Sequence, residues 1–267
     1  MKNQFFATLM VVSASMLFFS ACSKDESSSN SGKSKLTVYL TDDPAIYDEV
    51  NIDIQDIQVN ASADAAETGA GWVSVPLARP GVYNLLDFRN GLDTLLASKE
   101  LPAGKISQIR LILGTNNSVV LNGVSHPLET PSAQQSGLKL NVHADLVADI
   151  EYRLWIDFDA GRSIVTTGSN KYILKPVIRT YTQATSGTIK GIALPLLQVK
   201  GVYAIQNTDT VASALPDALT GAYVISGLSA GTYNVAIAGN GILKDTTVAA
   251  VAVKVGEVST VSTITLK

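Results

Sequence analysis

Residues 151–161 read EYRLWIDFDAG. Tyr152, Leu154, Ile156 and Phe158 alternate with Arg153, Trp155, Asp157 and Asp159, the period of a strand with one apolar and one polar face. Asp159-Ala160-Gly161 closes that strand with turn residues. Working outward, the same alternation recurs. Leu36, Val38 and Leu40 oppose Thr37, Tyr39 and Thr41, and Thr41-Asp42-Asp43-Pro44 stops that run with turn-forming acids and a fixed φ. Val50, Ile52 and Ile54 alternate, and Ile57 and Val59 then carry the opposite parity. The change requires a bulge near Gln55-Asp56 or a strand that crosses between sheets. Val73, Val75 and Leu77, then Ile109, Leu111 and Leu113, then Leu138, Leu140 and Val142 repeat the pattern. Val119 to Val124 is a hairpin turning on Asn122-Gly123. Tyr172 to Tyr181 is a further run, with Pro176 forcing part of it to an edge or bulge. Helix signals are confined to about two turns over Leu92 to Leu101, beginning near Asp93. Short strands at regular spacing mean β-sandwiches or barrels. The chain is read as all-β, two sandwiches in tandem of immunoglobulin or prealbumin type, with at most one or two short helices.

Of the 267 residues 46% are hydrophobic and 16% charged, and the formal net charge is −3. That balance is too small and of the wrong sign for a nucleic-acid surface. One cysteine excludes a disulfide framework and Cys-rich zinc sites.

The N-terminus reads MKNQFFATLMVVSASMLFFSAC over residues 1–22. Lys2 precedes an apolar core that is too short and too interrupted for a comfortable membrane span. The Phe19-Ser20-Ala21-Cys22 sequence resembles the lipobox of bacterial lipoproteins, with Phe19 where Leu is commoner. The resemblance implies a signal peptide over 1–21 and lipid on Cys22. Two or more acyl chains there would anchor the protein where one would not. Residues 22–34 are polar and Ser-rich, read as a flexible tether. Lys24-Asp25-Glu26 resembles the acidic export signal of surface lipoproteins, which implies the outer membrane and the cell surface, a periplasm-facing anchor being the alternative.

The segments LTVYLTDDPAIYDEVNIDIQDIQV, YNLLDFRNGLDTLL, LPAGKISQIRLIL and IDFDAGRSIV…YILKPVIR, in that order, resemble a bacterial family known only as domain of unknown function 4382. They cover about residues 35–182, read as the first sandwich. Thr182 to Gly187 is polar and aperiodic, a joint expected to be sensitive to proteases between independently folding domains. Beyond it Ala, Val, Gly and Thr dominate. Gly221 to Tyr233 resembles the carboxypeptidase regulatory-like module over 186–267, a prealbumin-type sandwich classified with carbohydrate-binding-like folds. Within it Leu228 is expected to plug a core at a turn, Gly231 to permit the bend and Tyr233 to restart a strand.

No nucleophile system stands out. His126 and His143 lie outside any GxSxG or Cys/His context and read as surface or structural residues. Asp157 and Asp159 point the same way from one strand. They are read either as oxygen ligands for calcium or, preferentially, as a cap on the following turn and a partner for a cation such as Arg153. Trp155 shares their face. A large aromatic among polar groups composes a sugar-stacking or protein-docking surface, or else it is covered by a loop or second sheet. Tyr39 and Trp72 occupy comparable positions. The expected role is therefore non-enzymatic binding or adhesion at the envelope, to a glycan or an envelope protein, with no cofactor. A structural spacer or accessory subunit is the alternative, and a glycan-active hydrolase the least favoured class.

Overall fold

Alternating burial builds the strands of the computed structural model, which describes residues 32–43, 45–61, 70–130, 137–168, 171–241 and 243–267. The signal peptide, Cys22 and Lys24-Asp25-Glu26 lie outside the described residues, as does Pro44. The expected all-β sandwich architecture is what the chain adopts. The first sandwich comprises β1 (Lys33–Asp43), β2 (Glu49–Asn60), β3 (Val73–Val75), β4 (Gly81–Asn84), β5 (Thr94–Pro102), β6 (Gly104–Leu113) and β7 (Ser118–Leu121). It continues with β8 (Val124–Glu129), β9 (Leu138–Leu146), β10 (Glu151–Asp159), β11 (Ile164–Thr166), β12 (Tyr172–Leu174) and β13 (Ile178–Tyr181). A four-stranded sheet in the order β13-β10-β1-β5 faces a larger sheet in the order β11-β12-β8-β7-β2-β6-β9, with β3 and β4 also paired to β2.

Nine residues of β1 and β10 pair in parallel, from Lys35↔Glu151 to Asp43↔Asp159. Leu36, Val38 and Leu40 enter the core beside Leu154, Ile156 and Phe158, each side chain stabilising by roughly 1.5–3 kcal/mol through burial. The parity change in β2 is a bulge: its register against β6 shifts between Ile54 and Asp56, and Ile57 and Val59 return to the core. Asn122 (φ 52°) and Gly123 (φ 73°) form the hairpin turn between β7 and β8.

Four local expectations change. Residues 94–102 form β5, not a helix. A shift in the β1 pairing between Val38 and Tyr39 leaves Leu96 and Ala97 both inward, and the bulge mimics helical spacing. Strand β1 starts at Lys33, inside the stretch read as tether, because Lys33 and Ser34 already pair with Pro102 and Leu101. Asp42 and Asp43 finish β1 and are buried instead of forming an exposed turn. Pro176 separates two strands of different sheets, β12 and β13. Among the described residues the α-helical ones are one turn, α1 (Ala160–Ser163), capped by Asp159.

The second sandwich comprises β14 (Gly187–Leu194), β15 (Val199–Gln206), β16 (Asp209–Ala214), β17 (Ala222–Leu228), β18 (Gly231–Gly239), β19 (Thr246–Val253), β20 (Val258–Thr260) and β21 (Ile264–Thr265). One sheet runs β17-β14-β20 with β21 also on β14, and the other runs β16-β15-β18-β19. Its core centres on Ile189, Tyr223, Leu228, Tyr233 and Ile237. The left-handed residue of the β17–β18 turn is Gly227 (φ 71°), and Tyr233 Oη closes that turn on the Ser229 carbonyl at 2.9 Å. The two cores are separate clusters within one compact unit, Ser31–Lys267. The segment joining them is a single 3-10 turn, Gln183–Thr185, with exposed residues. It is flanked by buried Thr182 and Ser186, and Ser186 Oγ donates to the Thr182 carbonyl at 2.6 Å.

Candidate functional site: the junction of the two sandwiches

The outer face of the small sheet carries the residues singled out by alternation, and it is covered by the chain itself. Register places Tyr39, Trp155 and Tyr181 in one row across β1, β10 and β13, and Asp157 and Arg179 in the next row. The indole stacks between two tyrosines, with centroids 5.0 Å from Tyr39 and 5.7 Å from Tyr181 and ring planes within 15°. Its Nε1 donates to Asp93 at 2.7 Å. Trp155 is 7% exposed, so of its two sequence readings the covered one holds and the solvent-facing one does not. The physical reason is the apolar area of the indole: two neighbouring rings and the loop carrying Asp93 cover what would otherwise stand in water.

The row below is ionic. Asp157 (3% exposed) pairs with Arg179, whose guanidinium also donates to the carbonyls of Ser226 at 3.0 Å and Gly227 at 3.1 Å in the second sandwich. Gly227 is required there, because a Cβ would overlap the Tyr181 ring. Asp159 (5% exposed) accepts from the Arg162 backbone N–H at 2.8 Å and pairs with its side chain. This is the capping role read from the sequence, and Arg162 extends across to the Thr210 carbonyl at 3.4 Å. Asp43 accepts from the Ser213 N–H at 3.1 Å, a third tie between the sandwiches.

Four carboxylates thus crowd the junction. Burial raises Asp43 to about 8; the charge of Asp157 adds to this and Arg179 opposes it. Burial also pushes Asp42 well up, against a hydrogen bond from the Ala160 N–H at 3.0 Å. Asp157 is raised by burial and held back by Arg179. Burial opposes the charge of Arg179, yet Asp157 and Asp43 keep its pKa raised. One oxygen each of Asp42 and Asp157 is buried without a hydrogen-bond partner among the described residues.

Arg153 pairs with Glu151 at 2.8 Å at the exposed end of β10, not with Asp157. Trp72 directly precedes β3 of the other sheet, and the Arg110 guanidinium lies 4.2 Å from its ring centroid. The structure therefore unites Tyr39, Trp155, Asp157 and Asp159, leaves Arg153 at the exposed end of the same face with Glu151 as its ion-pair partner, and places Trp72 apart from them. Both carboxylates considered as calcium ligands are held by arginines, and among the described residues no group of three or more His, Cys, Asp or Glu is placed to hold a metal ion. His126 packs on Tyr172 with centroids 5.0 Å apart, and His143 is exposed on β9.

A cleft of about 360 Å³ opens beside the aromatic row, between the sandwiches, lined by Thr41, Asp93, Trp155, Tyr181, Ser226 and Glu257 among others. Sequence reading missed Asp93, Arg179 and Tyr181. The last two share the parity of one short strand, a signal that was present but unremarkable alone.

Residues 33–176 match the family described as Domain of unknown function (DUF4382). The chain belongs to the DUF4382 family. Arg179 and Tyr181, which complete the junction, lie just beyond the stretch matching DUF4382. No curated protein sequence matches the chain. Among solved structures it is similar to the Bacillus anthracis TIE protein, at 10% identity and TM-score 0.23, covering 88% of this chain and 34% of that one. It is also similar to a minor pilin of Streptococcus agalactiae, at 13% identity and TM-score 0.23, covering 88% and 95%. A fimbrial protein from Bacteroides ovatus gives 10% identity and TM-score 0.22, covering 88% and 50%. This chain spans about a third of the TIE protein's length. At these TM-scores the overlaps carry no argument about function.

Proposed function

We propose that this DUF4382 chain is a lipid-anchored, non-enzymatic envelope protein in which the first sandwich is a rigid base holding the second at its outer end. The observation that carries this reading is Arg179, tied at once to Asp157 of the base and to Ser226 and Gly227 of the second sandwich. Direction matters as well. The described chain enters β1 at its Lys33 end, whereas Asp43 at the other end meets Ser213. At ~3.3 Å per residue these ends are about 30 Å apart. An acylated Cys22 would hold the Lys33 end at the membrane and leave the second sandwich distal. The carboxylates near the cleft are engaged by Trp155, Arg179, Arg162 and Lys254, which fits a structural role better than acid–base work.

Membrane fractionation of the parent and Cys22→Ser, with protease added to intact cells, tests the proposal. The parent should sediment with outer membranes and lose its second sandwich to external protease. Cys22→Ser should be released. Identical fractionation of the two would remove the anchor from the reading, and full protection in intact cells would turn it to the periplasmic face.

The cleft favours a second reading, binding of a glycan or envelope protein. Since both faces of Trp155 are occupied, a sugar would meet the ring edge and the Ser226 hydroxyl. A glycan array on the full chain, with no hit lost in Trp155→Phe or Ser226→Val, would count against it.

A further inference from the structure

Two turns close the end of the first sandwich at which β1 begins. Ala103 links β5 to β6, and Val147-Ala148-Asp149-Ile150 links β9 to β10. Hydrogen bonds tie both turns to the entering chain. The Gly32 carbonyl accepts from the Ala103 N–H at 2.8 Å, and the Lys33 carbonyl accepts from the Asp149 N–H at 2.8 Å. Ser34 Oγ donates to the Ile150 carbonyl at 2.6 Å. The start of β1 and the tip of the sandwich therefore form one hydrogen-bonded unit.

The second turn has an unusual composition. Exposed turns are ordinarily built from Gly, Asn, Asp, Ser and Pro, which suit water or positive φ. Asp149 obeys that rule at φ 63°. The other three positions are apolar. The turn is closed by the Ile150 N–H on the Val147 carbonyl at 3.2 Å, and it leaves Val147 54% and Ile150 58% exposed. Scattered exposed aliphatics are ordinary, but closing a four-residue turn does not require two of them at its tip. The adjoining chain has nothing to cover them with, because residues 23–31, SKDESSSNS, contain no apolar side chain. Nor does charge suit this end to a polyanion. Lys33 pairs with Glu100 at 3.7 Å, Lys105 stands opposite Asp145 on the neighbouring strand, and Asp149 adds a further negative charge.

We propose that this turn docks on the lipid bilayer, with Val147 and Ile150 entering the boundary between head groups and acyl chains. The inference rests on the anchor reading. Gly32 lies ten positions after Cys22, a fully extended reach of ~35 Å. Acyl chains on Cys22 would hold the tip near the surface at high effective concentration, where two aliphatic side chains can add a contact too weak to retain the protein alone. Asp149, between them, is left at the head groups, where the ammonium of phosphatidylethanolamine is a matching donor. Docking would orient the base on the membrane, beyond merely retaining it there.

Lipid on Cys22 blocks the only thiol of the parent chain, so an introduced cysteine can be labelled alone. Full-length Ile150→Cys is purified from membranes, labelled with an environment-sensitive fluorophore and reconstituted into vesicles of phosphatidylethanolamine and phosphatidylglycerol. Leu219→Cys, at an 84% exposed position of the second sandwich, carries the same label as control. Vesicle flotation of the parent beside Cys22→Ser reads the anchor separately. Emission from position 150 should shift to shorter wavelength on reconstitution and be quenched by lipids brominated on their acyl chains. Position 219 should show neither change and stay open to aqueous iodide. High salt should leave the quenching at position 150 intact, since burial of apolar area is not screened as charge is. Adding Val147→Ser should reduce it, with circular dichroism confirming the fold. Flotation with position 150 open to iodide, equal quenching at both positions, quenching lost in salt, or quenching unmoved by Val147→Ser would each overturn the docking and leave the anchor standing. A wavelength shift without lipid quenching would assign the turn to a second copy of the chain and overturn it as well. Failure to float would remove the anchor and this inference together.

Discussion

Replacing Arg179 with Met retains most of the side chain's bulk and removes its charge and donors. The consequence can be worked out from the geometry. Asp157, 3% exposed, loses its ion-pair partner, and the carbonyls of Ser226 and Gly227 lose theirs. Removing one member of a buried pair costs about 3–5 kcal/mol. Asp157 limits that cost by taking up a proton, since burial already raises its pKa. At pH 7 the cost of neutralising a carboxyl of ordinary pKa is about 4 kcal/mol, and it falls by about 1.4 kcal/mol per pH unit. The sign follows. In the variant the folded state carries a proton that the unfolded state has released above pH ~4, so the penalty grows as pH rises. Arg179→Met should therefore be less stable than the parent by up to about 4 kcal/mol at pH 7 and up to about 1.5 kcal/mol at pH 5, since burial already raises Asp157 in the parent. Urea unfolding in a Trp72→Phe background, where Trp155 is the sole indole, reads this at the junction itself. A difference below about 1 kcal/mol at pH 7, or one that does not change with pH, would refute the assignment of Arg179 as the tie between the sandwiches.

Three further outcomes are expected. Asp43, raised to about 8 by burial, keeps its proton in the folded state, so the parent should lose stability as pH rises from about 4 to about 8, at up to ~1.4 kcal/mol per unit; Asp43→Asn should flatten that slope, and an unchanged slope in urea titrations would count against it. Gly227→Ala places a methyl against Tyr181 at φ 71° and should cost about 2 kcal/mol in thermal unfolding, with a neutral result showing that the turn can move aside. Limited proteolysis should cut at Gln183–Thr185, the exposed part of the joint, and faster in Arg179→Met; a resistant core spanning Tyr172 to Ile192 in both proteins would dispose of the two-domain reading.

Period-2 alternation was enough to place most strands, because burial of one face leaves a direct mark on composition. The β2 bulge and the Asn122-Gly123 turn were legible for the same reason: each requires a change of parity or residues tolerant of positive φ. The false helix over 92–101 shows the limit. Where a bulge sends Leu96 and Ala97 inward together, local spacing no longer distinguishes strand from helix, and pairing with β1 decides.

The candidate site divides along the same line. The sequence by itself determined that Arg153, Trp155, Asp157 and Asp159 share a face opposite the core, since successive side chains of a strand must point to opposite sides. It also determined that the C-terminal turn would set Leu228 and Tyr233 into a core. Only the tertiary structure decided what lies against that outer face: Tyr39 and Tyr181 on the indole, Asp93 on its nitrogen, Arg179 on Asp157 and Ser213 on Asp43. Alternation records which residues point together but carries no information about the surface they meet. Residues 43, 93, 157, 179, 213 and 227 are brought to one junction by sheet order and by the packing of one sandwich on the other.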